Sequence, residues 1–221
     1  MAISKTPSQT SKVYIALRQD IMSGALAPGQ KLKIEDLIRQ YEAGNTPVRE
    51  ALSLLTSDAL VERLDQRGFR VVPASKQEFE ELLKTRIWLE QRALAESIRN
   101  GDEEWEQNIV SAQRSLAETD RSLLADHFVA NSEWEVLHKR FHMALIQACA
   151  SAPLLKFCNQ LYDQNTRYRR LAGQSAYPTR KVNDEHEAIA AAVLSKNEAK
   201  SLTLLEDHYH NTARWVAERF S

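Results

Sequence analysis

The stretch Asn45-Thr46-Pro47-Val48-Arg49-Glu50-Ala51-Leu52 constrains the fold of this chain more than any other. Thr46 carries a side-chain oxygen suited to the free N–H groups of a helix start. Pro47 brings a preset φ to the first helical position, so a helix is expected to begin here. Arg49 then falls in its first turn. Ala51, Leu52, Leu55 and Leu60 share an apolar side that can pack inward, whereas Asn45, Thr46 and Arg49 gather at the exposed N-terminal end.

The flanks turn this helix into a module. Val13, Ile15, Leu17 and Ile21 predict an earlier helix that stops at Ser23-Gly24, and Ala27-Pro28-Gly29-Gln30 reads as a turn. A short helix follows over Ile34 to Tyr41. Beyond the central helix, Leu60-Val61-Glu62-Arg63-Leu64 and Phe69-Arg70-Val71-Val72 alternate like two strands joined by Asp65-Gln66-Arg67-Gly68. A helix-turn-helix followed by such a hairpin is the pattern of a winged helix, in which the N-terminal end of the central helix enters the major groove of double-stranded DNA. The expected contacts are Asn45, Thr46, Pro47 and Arg49 on the helix, with Arg67 and Gly68 at the hairpin tip. Asn45, able to pair with adenine, is expected to read a base.

These residues resemble the GntR family of bacterial transcription regulators. The resemblance runs from Ile21-Met22-Ser23-Gly24 through Pro28-Gly29 and Leu32, then Thr46 to Leu52, and on through Leu60-Val61 to Gly68. Two departures stand out. The family usually has Ser-Arg before Thr-Pro, with the Arg touching DNA, where this chain has Gly44-Asn45. It also favours Gly where Ala59 stands; if that position takes a positive φ, Ala adds strain of about 1 kcal/mol.

A chain of 221 residues has room for two domains, and 43% hydrophobic with 27% charged content is ordinary for a soluble globular protein. No apolar run nears the roughly 20 residues that span a bilayer. Met1 to Ser11 is polar with no signal-peptide core, so a cytoplasmic protein with no membrane partner is expected. A net charge of −1 argues against a general nucleic-acid coat. Lys31, Lys33, Arg39, Arg49, Arg63, Arg67 and Arg70 still give the N-terminal module a basic surface, diluted by Glu35, Asp36 and Glu50. Cys149 and Cys158, placed in helical segments and without metal-type spacing, read as reduced, buried thiols.

From Lys76 onward strand-like alternation vanishes. Gly101, Pro153, Gly173 and Pro178 punctuate six expected helices at about 76–100, 102–119, 126–150, 153–172, 179–195 and 197–220. The expected fold class is therefore mostly α. A winged helix-turn-helix with a small β-hairpin occupies 1–72, Pro73-Ala74-Ser75 forms a linker, and an all-α helical bundle fills 76–221.

Three of these helices carry histidines on their apolar faces. His138 and His142 are one turn apart and share a side with Trp134, Phe141, Leu145 and Ile146. His186 falls with Val182, Ile189, Ala190 and Val193, and His208 with Leu204, Leu205 and Trp215. A single histidine on such a face is ordinarily a hydrogen-bonded core residue. Four of the six behaving alike, with a pair at metal-ligand spacing, favour a shared divalent metal. His210 faces nearly the opposite side from His208. His127 faces the same way as His138 but stands roughly 16 Å along the expected helix. Arg86 lies inside the apolar sector formed by Phe79, Leu82, Leu83, Leu89, Ala93 and Leu94, where a charge needs a partner. That partner is either Glu90, one turn further on, or a ligand carboxylate.

This half resembles the FCD effector domain of the FadR branch of the family, in its six-helix, VanR-like form. The family's metal motif is an Asp, a Phe-His pair completing a four-residue step, and a His in each of the last two helices. Phe141-His142, His186-Glu187-Ala188-Ile189 and His208 match it, while His138 stands where Asp is usual and Ala152 where the family has Asn. Imidazole suits Zn²⁺ or Ni²⁺, so a more nitrogen-rich site is expected at His138, His142, His186 and His208. The resemblance implies a homodimeric, ligand-responsive regulator on a pseudo-palindromic operator. Its implied effector is a small organic carboxylate held by the metal and Arg86. Two other readings use the same residues: a metal-dependent enzyme tethered by a DNA-binding module, and a constitutive repressor with a purely structural metal. No HExxH-type motif or activated nucleophile accompanies the histidines, so no enzymatic activity is expected.

Overall fold

Ser8 opens the first helix, α1 (Gln9–Ser23), by accepting a hydrogen bond from the Ser11 amide at 3.1 Å. The computed structural model describes residues 7–65, 67–171 and 180–219. They divide into two compact units, one running to Ser75 and taking in Thr166–Leu171, the other covering Lys76–Asn165 and the described residues from 180 onward.

In the first unit, Val13, Leu17, Ile21 and Met22 line the buried side of α1, while Ile15 is 55% exposed and takes no part in the core. Gly24 ends the helix at φ 84°, a left-handed conformation that glycine adopts without steric cost. The Ala27–Gln30 turn closes with Gln30 N donating to Ala27 O at 3.0 Å, and Gly29 supplies the required positive φ of 76°. Helix α2 (Ile34–Gln40) and the central helix α3 (Asn45–Ser57) follow.

Helix α3 starts two residues earlier than a Thr46 cap with Pro47 at the first helical position predicts. Gly44 is its N-cap, with no side-chain capping bond, and Thr46 and Pro47 are its second and third residues. The first turn's N–H groups lack intrahelical partners in any case, so proline is tolerated there. Val48, Ala51, Leu52 and Leu55 are buried on one face, with Leu60 just beyond the helix.

Strands β2 (Val61–Leu64) and β3 (Gly68–Val71) form the expected antiparallel pair, with Glu62 opposite Arg70 and Leu64 opposite Gly68. The hairpin is one part of a three-stranded sheet. Strand β1 (Lys31–Leu32) pairs antiparallel with β3, giving the order β1-β3-β2. A two-residue strand is too short to show a period, and nothing in the sequence announced it. Gln66, expected within the hairpin tip, lies outside the described residues. Ala59, just after α3, sits at φ 56°, where a Cβ is strained.

Among its described residues the second unit is helical apart from its connections: α4 (Lys76–Asn100), α5 (Glu103–Ala117), α6 (Ser132–Ile146), α7 (Ala152–Leu171, of which Thr166–Leu171 count with the first unit), α8 (Val182–Leu194) and α9 (Glu198–Arg219). Asp102 caps α5 by accepting from Trp105 N at 2.9 Å. Gly101 is required beside it, because a Cβ there would lie 2.0 Å from the Trp105 ring. The core gathers Leu94, Ile109, Leu116, Phe141, Ile189 and Val193.

Helix α6 begins six residues later than expected. Ser122 folds the preceding segment instead: its Oγ accepts from Val129 N at 2.9 Å and donates to His127 O at 3.1 Å, and Ser122 bridges Ala130. Asn131 then caps the helix through the Glu133 amide. His127 is accordingly an exposed loop residue beside Asp126, so it is set aside on different grounds from those the sequence offered. The helix also ends early, before Cys149, which is buried in the following turn; Cys158 is buried in α7, and both are free thiols. The expected helix limits at 172, 179 and 220, with Gly173 and Pro178, lie outside the described residues. Among the described residues no helix is long and apolar enough to cross a membrane.

Candidate metal centre and nucleic-acid interface

Helix α6 turns Trp134, His138, Phe141, His142 and Leu145 to its buried side, because positions three and four apart share a helical face. His186 enters from α8 and His208 from α9, and all four imidazoles are buried. One ligand atom from each lies within 4.8 Å of the others. The Nε2 atoms of His138 and His142 are 3.2 Å apart. Zn–N bonds of about 2.0–2.1 Å place ligand nitrogens about 3.3 Å apart in a tetrahedron and about 2.9 Å apart at neighbouring octahedral positions. The pair thus has metal-ligand spacing, and small ring rotations bring the wider separations into range. The cluster can hold a metal ion.

What surrounds the rings sets which nitrogen faces the centre. His208 places Nδ1 2.7 Å from Glu185 Oε2, and Arg180 grips the same carboxylate at 2.6 and 2.9 Å. Burial works against the Glu185 charge, yet the hydrogen bonds from Arg180 and His208 bring its pKa down to about 2. Burial pushes the His208 imidazolium down to about 4, Glu185 notwithstanding, so a neutral ring donates through Nδ1 and keeps a lone pair on Nε2. A carboxylate behind a histidine in this way fixes a metal ligand's tautomer.

Tyr209 does the same for His142. Its hydroxyl donates to Glu90 Oε2, lies 3.0 Å from Arg86 Nη2 and lies 3.2 Å from His142 Nδ1. Burial raises the Tyr209 pKa well above its ordinary value, so the phenol keeps its proton. With that proton committed to a carboxylate, the oxygen accepts from both other neighbours, and His142 carries its hydrogen on Nδ1. His138 Nδ1 lies 2.5 Å from the Tyr162 hydroxyl, and Trp134 stacks on its ring at 4.5 Å. With its hydrogen on Nε2, His138 donates across to His142; with it on Nδ1, it donates to Tyr162 and frees Nε2.

Arg86 meets the internal alternative first. Its Nε donates to Glu90 Oε1 at 2.6 Å, with both side chains almost wholly buried. Its two other nitrogens bind neutral groups, Asn165 Oδ1 at 2.9 Å and the Tyr209 hydroxyl at 3.0 Å. Burial disfavours the cation, but Glu90 holds it firmly charged. Asn165, Tyr162, Tyr209, Glu185 and Arg180 were not singled out from the sequence. Two of them had a signal: Glu185 precedes His186 and Tyr209 follows His208, each one step around the helix from a predicted ligand.

In the first unit, Asn45, Thr46 and Arg49 are exposed at the start of α3, and Pro47 is half-buried. Asn45 Oδ1 accepts from Arg49 Nε at 2.7 Å. At the hairpin end Arg67 is exposed, and Gly68 takes φ 93° as β3 begins.

Residues 9–71 match the model of the bacterial regulatory proteins of the gntR family, and residues 81–211 match the FCD domain. The chain belongs to the GntR family of transcription regulators. Its FCD half contains the histidine cluster, and both matches mark a regulator rather than an enzyme. Relatives span nearly the whole chain. The uncharacterized HTH-type transcriptional regulator BphR of Paraburkholderia xenovorans LB400 is 40% identical over 216 residues, covering 98% of this chain and 88% of the relative. The HTH-type transcriptional repressor GlaR of Escherichia coli K12 is 31% identical over 199 residues, covering 88% and 90%. E. coli McbR/YncC shares the fold, with a TM-score of 0.77 at 20% identity, covering 98% of this chain and 100% of that one.

Proposed function

We propose that this protein is a ligand-responsive repressor acting in the cytoplasm. Residues 1–72 form its DNA-binding domain, 73–75 a linker, and 76–221 an effector-binding and dimerisation domain. A homodimer places two α3 helices on the half-sites of a pseudo-palindromic operator. Asn45, Thr46, Pro47 and Arg49 enter the major groove, with Arg67 and Gly68 at the wing. His138, His142, His186 and His208 hold one divalent ion, Zn²⁺ or Ni²⁺, because an all-imidazole set suits borderline metals over hard, oxygen-seeking ones. The observation that carries this reading is the convergence of four buried imidazoles, three with Nδ1 engaged by Tyr162, Tyr209 and Glu185.

The effector is a small organic carboxylate that completes the metal coordination. Arg86 is the cation on hand for it, since two of its nitrogens bind neutral partners that a carboxylate can replace. The Arg86–Glu90 pair favours a second reading, a constitutive repressor whose metal is structural. A panel of small carboxylates separates the two. On metal-loaded protein, one of them raises the melting temperature and changes operator affinity, and chelation abolishes both effects. If none alters DNA affinity while the metal still stabilises the fold, the structural-metal reading replaces the first.

A further inference from the structure

The bond between Asn45 and Arg49 makes a prediction about operator sequence that neither residue makes alone. An Arg Nε–H can only donate, so the Asn45 atom facing it at 2.7 Å is Oδ1. The two residues are one helical turn apart at the exposed start of α3, and among the described residues Asn45 is the one side-chain hydrogen-bond partner of the Arg49 guanidinium.

We propose that Asn45 is a positioning residue for Arg49 and not an adenine reader. This rests on the reading that the start of α3 enters the major groove. Side-on pairing of an arginine with a base uses Nε together with one Nη. With Nε held by Asn45, Arg49 presents only its two terminal nitrogens, and that end-on fork matches the two acceptors of guanine, O6 and N7. Adenine at the same place offers one acceptor beside an N6 donor, which opposes the second N–H. The selected base is therefore guanine. Recognition of adenine by asparagine would direct Oδ1 at the base N6 group, whereas here it is turned along the helix toward Arg49. What Asn45 has left for DNA is its Nδ2, a donor to a phosphate or a base acceptor.

The test is selection from a randomised duplex pool with the full-length protein and three variants. Arg49→Ala locates the base pair that Arg49 reads. Asn45→Ala releases Nε, and the guanine preference at that base pair falls about tenfold, the scale of one bidentate contact. Asn45→Asp keeps an acceptor for Nε, and a carboxylate is favourable in the first turn of a helix. It retains the guanine preference while lowering affinity across all sequences, because it adds a negative charge facing phosphates. An Asn45→Ala profile that keeps guanine at the Arg49 position overturns the proposal. So does one that loses an adenine elsewhere and leaves guanine untouched. A wild-type protein that enriches no sequence overturns the DNA-reading assignment itself, an outcome separate from either of these.

Discussion

His138 and His142 hold their Nε2 atoms 3.2 Å apart, one helical turn from each other in the core of the effector unit. Because Tyr209 leaves the His142 hydrogen on Nδ1, the His142 Nε2 is an acceptor, and the contact without a cation requires His138 to donate. The described bonds then run in one direction: Tyr162 to His138, His138 to His142, His142 to Tyr209, and Tyr209 to Glu90. Ligation through His138 Nε2 requires the His138 hydrogen to move to Nδ1 and Tyr162 to turn from donor to acceptor.

Burial holds His208 neutral near neutral pH, so its ligation of a metal is expected to release no proton. Adding Zn²⁺ or Ni²⁺ to chelator-stripped protein raises its stability by about 2.7 kcal/mol at a hundredfold excess over the dissociation constant. Differential scanning calorimetry reads the stabilisation, and titration calorimetry in buffers of different ionisation heat reads the protons. His142→Ala abolishes the stabilisation. No gain in melting temperature with either ion returns the four residues to the role of core histidines.

Tyr209→Phe keeps the aromatic packing and removes the hydroxyl shared by Arg86, Glu90 and His142. Stranding buried donors and acceptors costs about 1–3 kcal/mol. Loss of the group behind a metal ligand lowers metal affinity by about 10–100-fold. Competition against a chromophoric chelator measures the affinity, and urea unfolding of the metal-free protein measures the stability. Unchanged metal affinity alongside lowered stability would show that the Tyr209 hydroxyl supports the fold and not the metal.

Helix faces were legible in the sequence because burial repeats along them: the four imidazoles were placed by their apolar neighbours, and the structure brings them together. The supports behind them were not. Glu185 and Tyr209 lie next to His186 and His208 in sequence, but Glu185 serves His208 on α9 and Tyr209 serves His142 on α6, and a projection of one helix cannot show pairing between helices. Strand β1 exists only through its register with β3, a long-range contact. The delayed start of α6 depends on one serine closing a loop, where local propensity favoured continuing the helix.

Ala59 tests the one backbone position where a sequence departure was tied to a conformation. Its φ of 56° costs an alanine about 1–2 kcal/mol. Glycine removes that strain but adds about 0.4–1 kcal/mol of unfolded-state entropy. Ala59→Gly is therefore expected to stabilise the winged-helix unit by up to about 1 kcal/mol, read as a rise in its urea midpoint. A drop in the midpoint would mean that Ala59 is not strained.

The Arg86–Glu90 pair complicates any simple test of effector binding. Replacing Arg86 alone leaves a buried Glu90 carboxylate without its cation, and breaking a buried pair from one side costs about 3–5 kcal/mol. Loss of ligand response in Arg86→Met would then report damage as readily as recognition. Adding Glu90→Gln removes the stranded charge and leaves an amide that can still accept from Tyr209. The double variant is expected to recover a large part of the stability lost by the single one, and the coupling appears in a double-mutant cycle by urea unfolding. With the fold restored, carboxylate affinity can be compared at equal stability. If Arg86 contacts the effector, affinity stays low in the double variant; if Glu90 is its only anionic partner, affinity returns with stability. An Arg86→Met cost below about 1 kcal/mol would show that the pair is not held in the buried geometry described here.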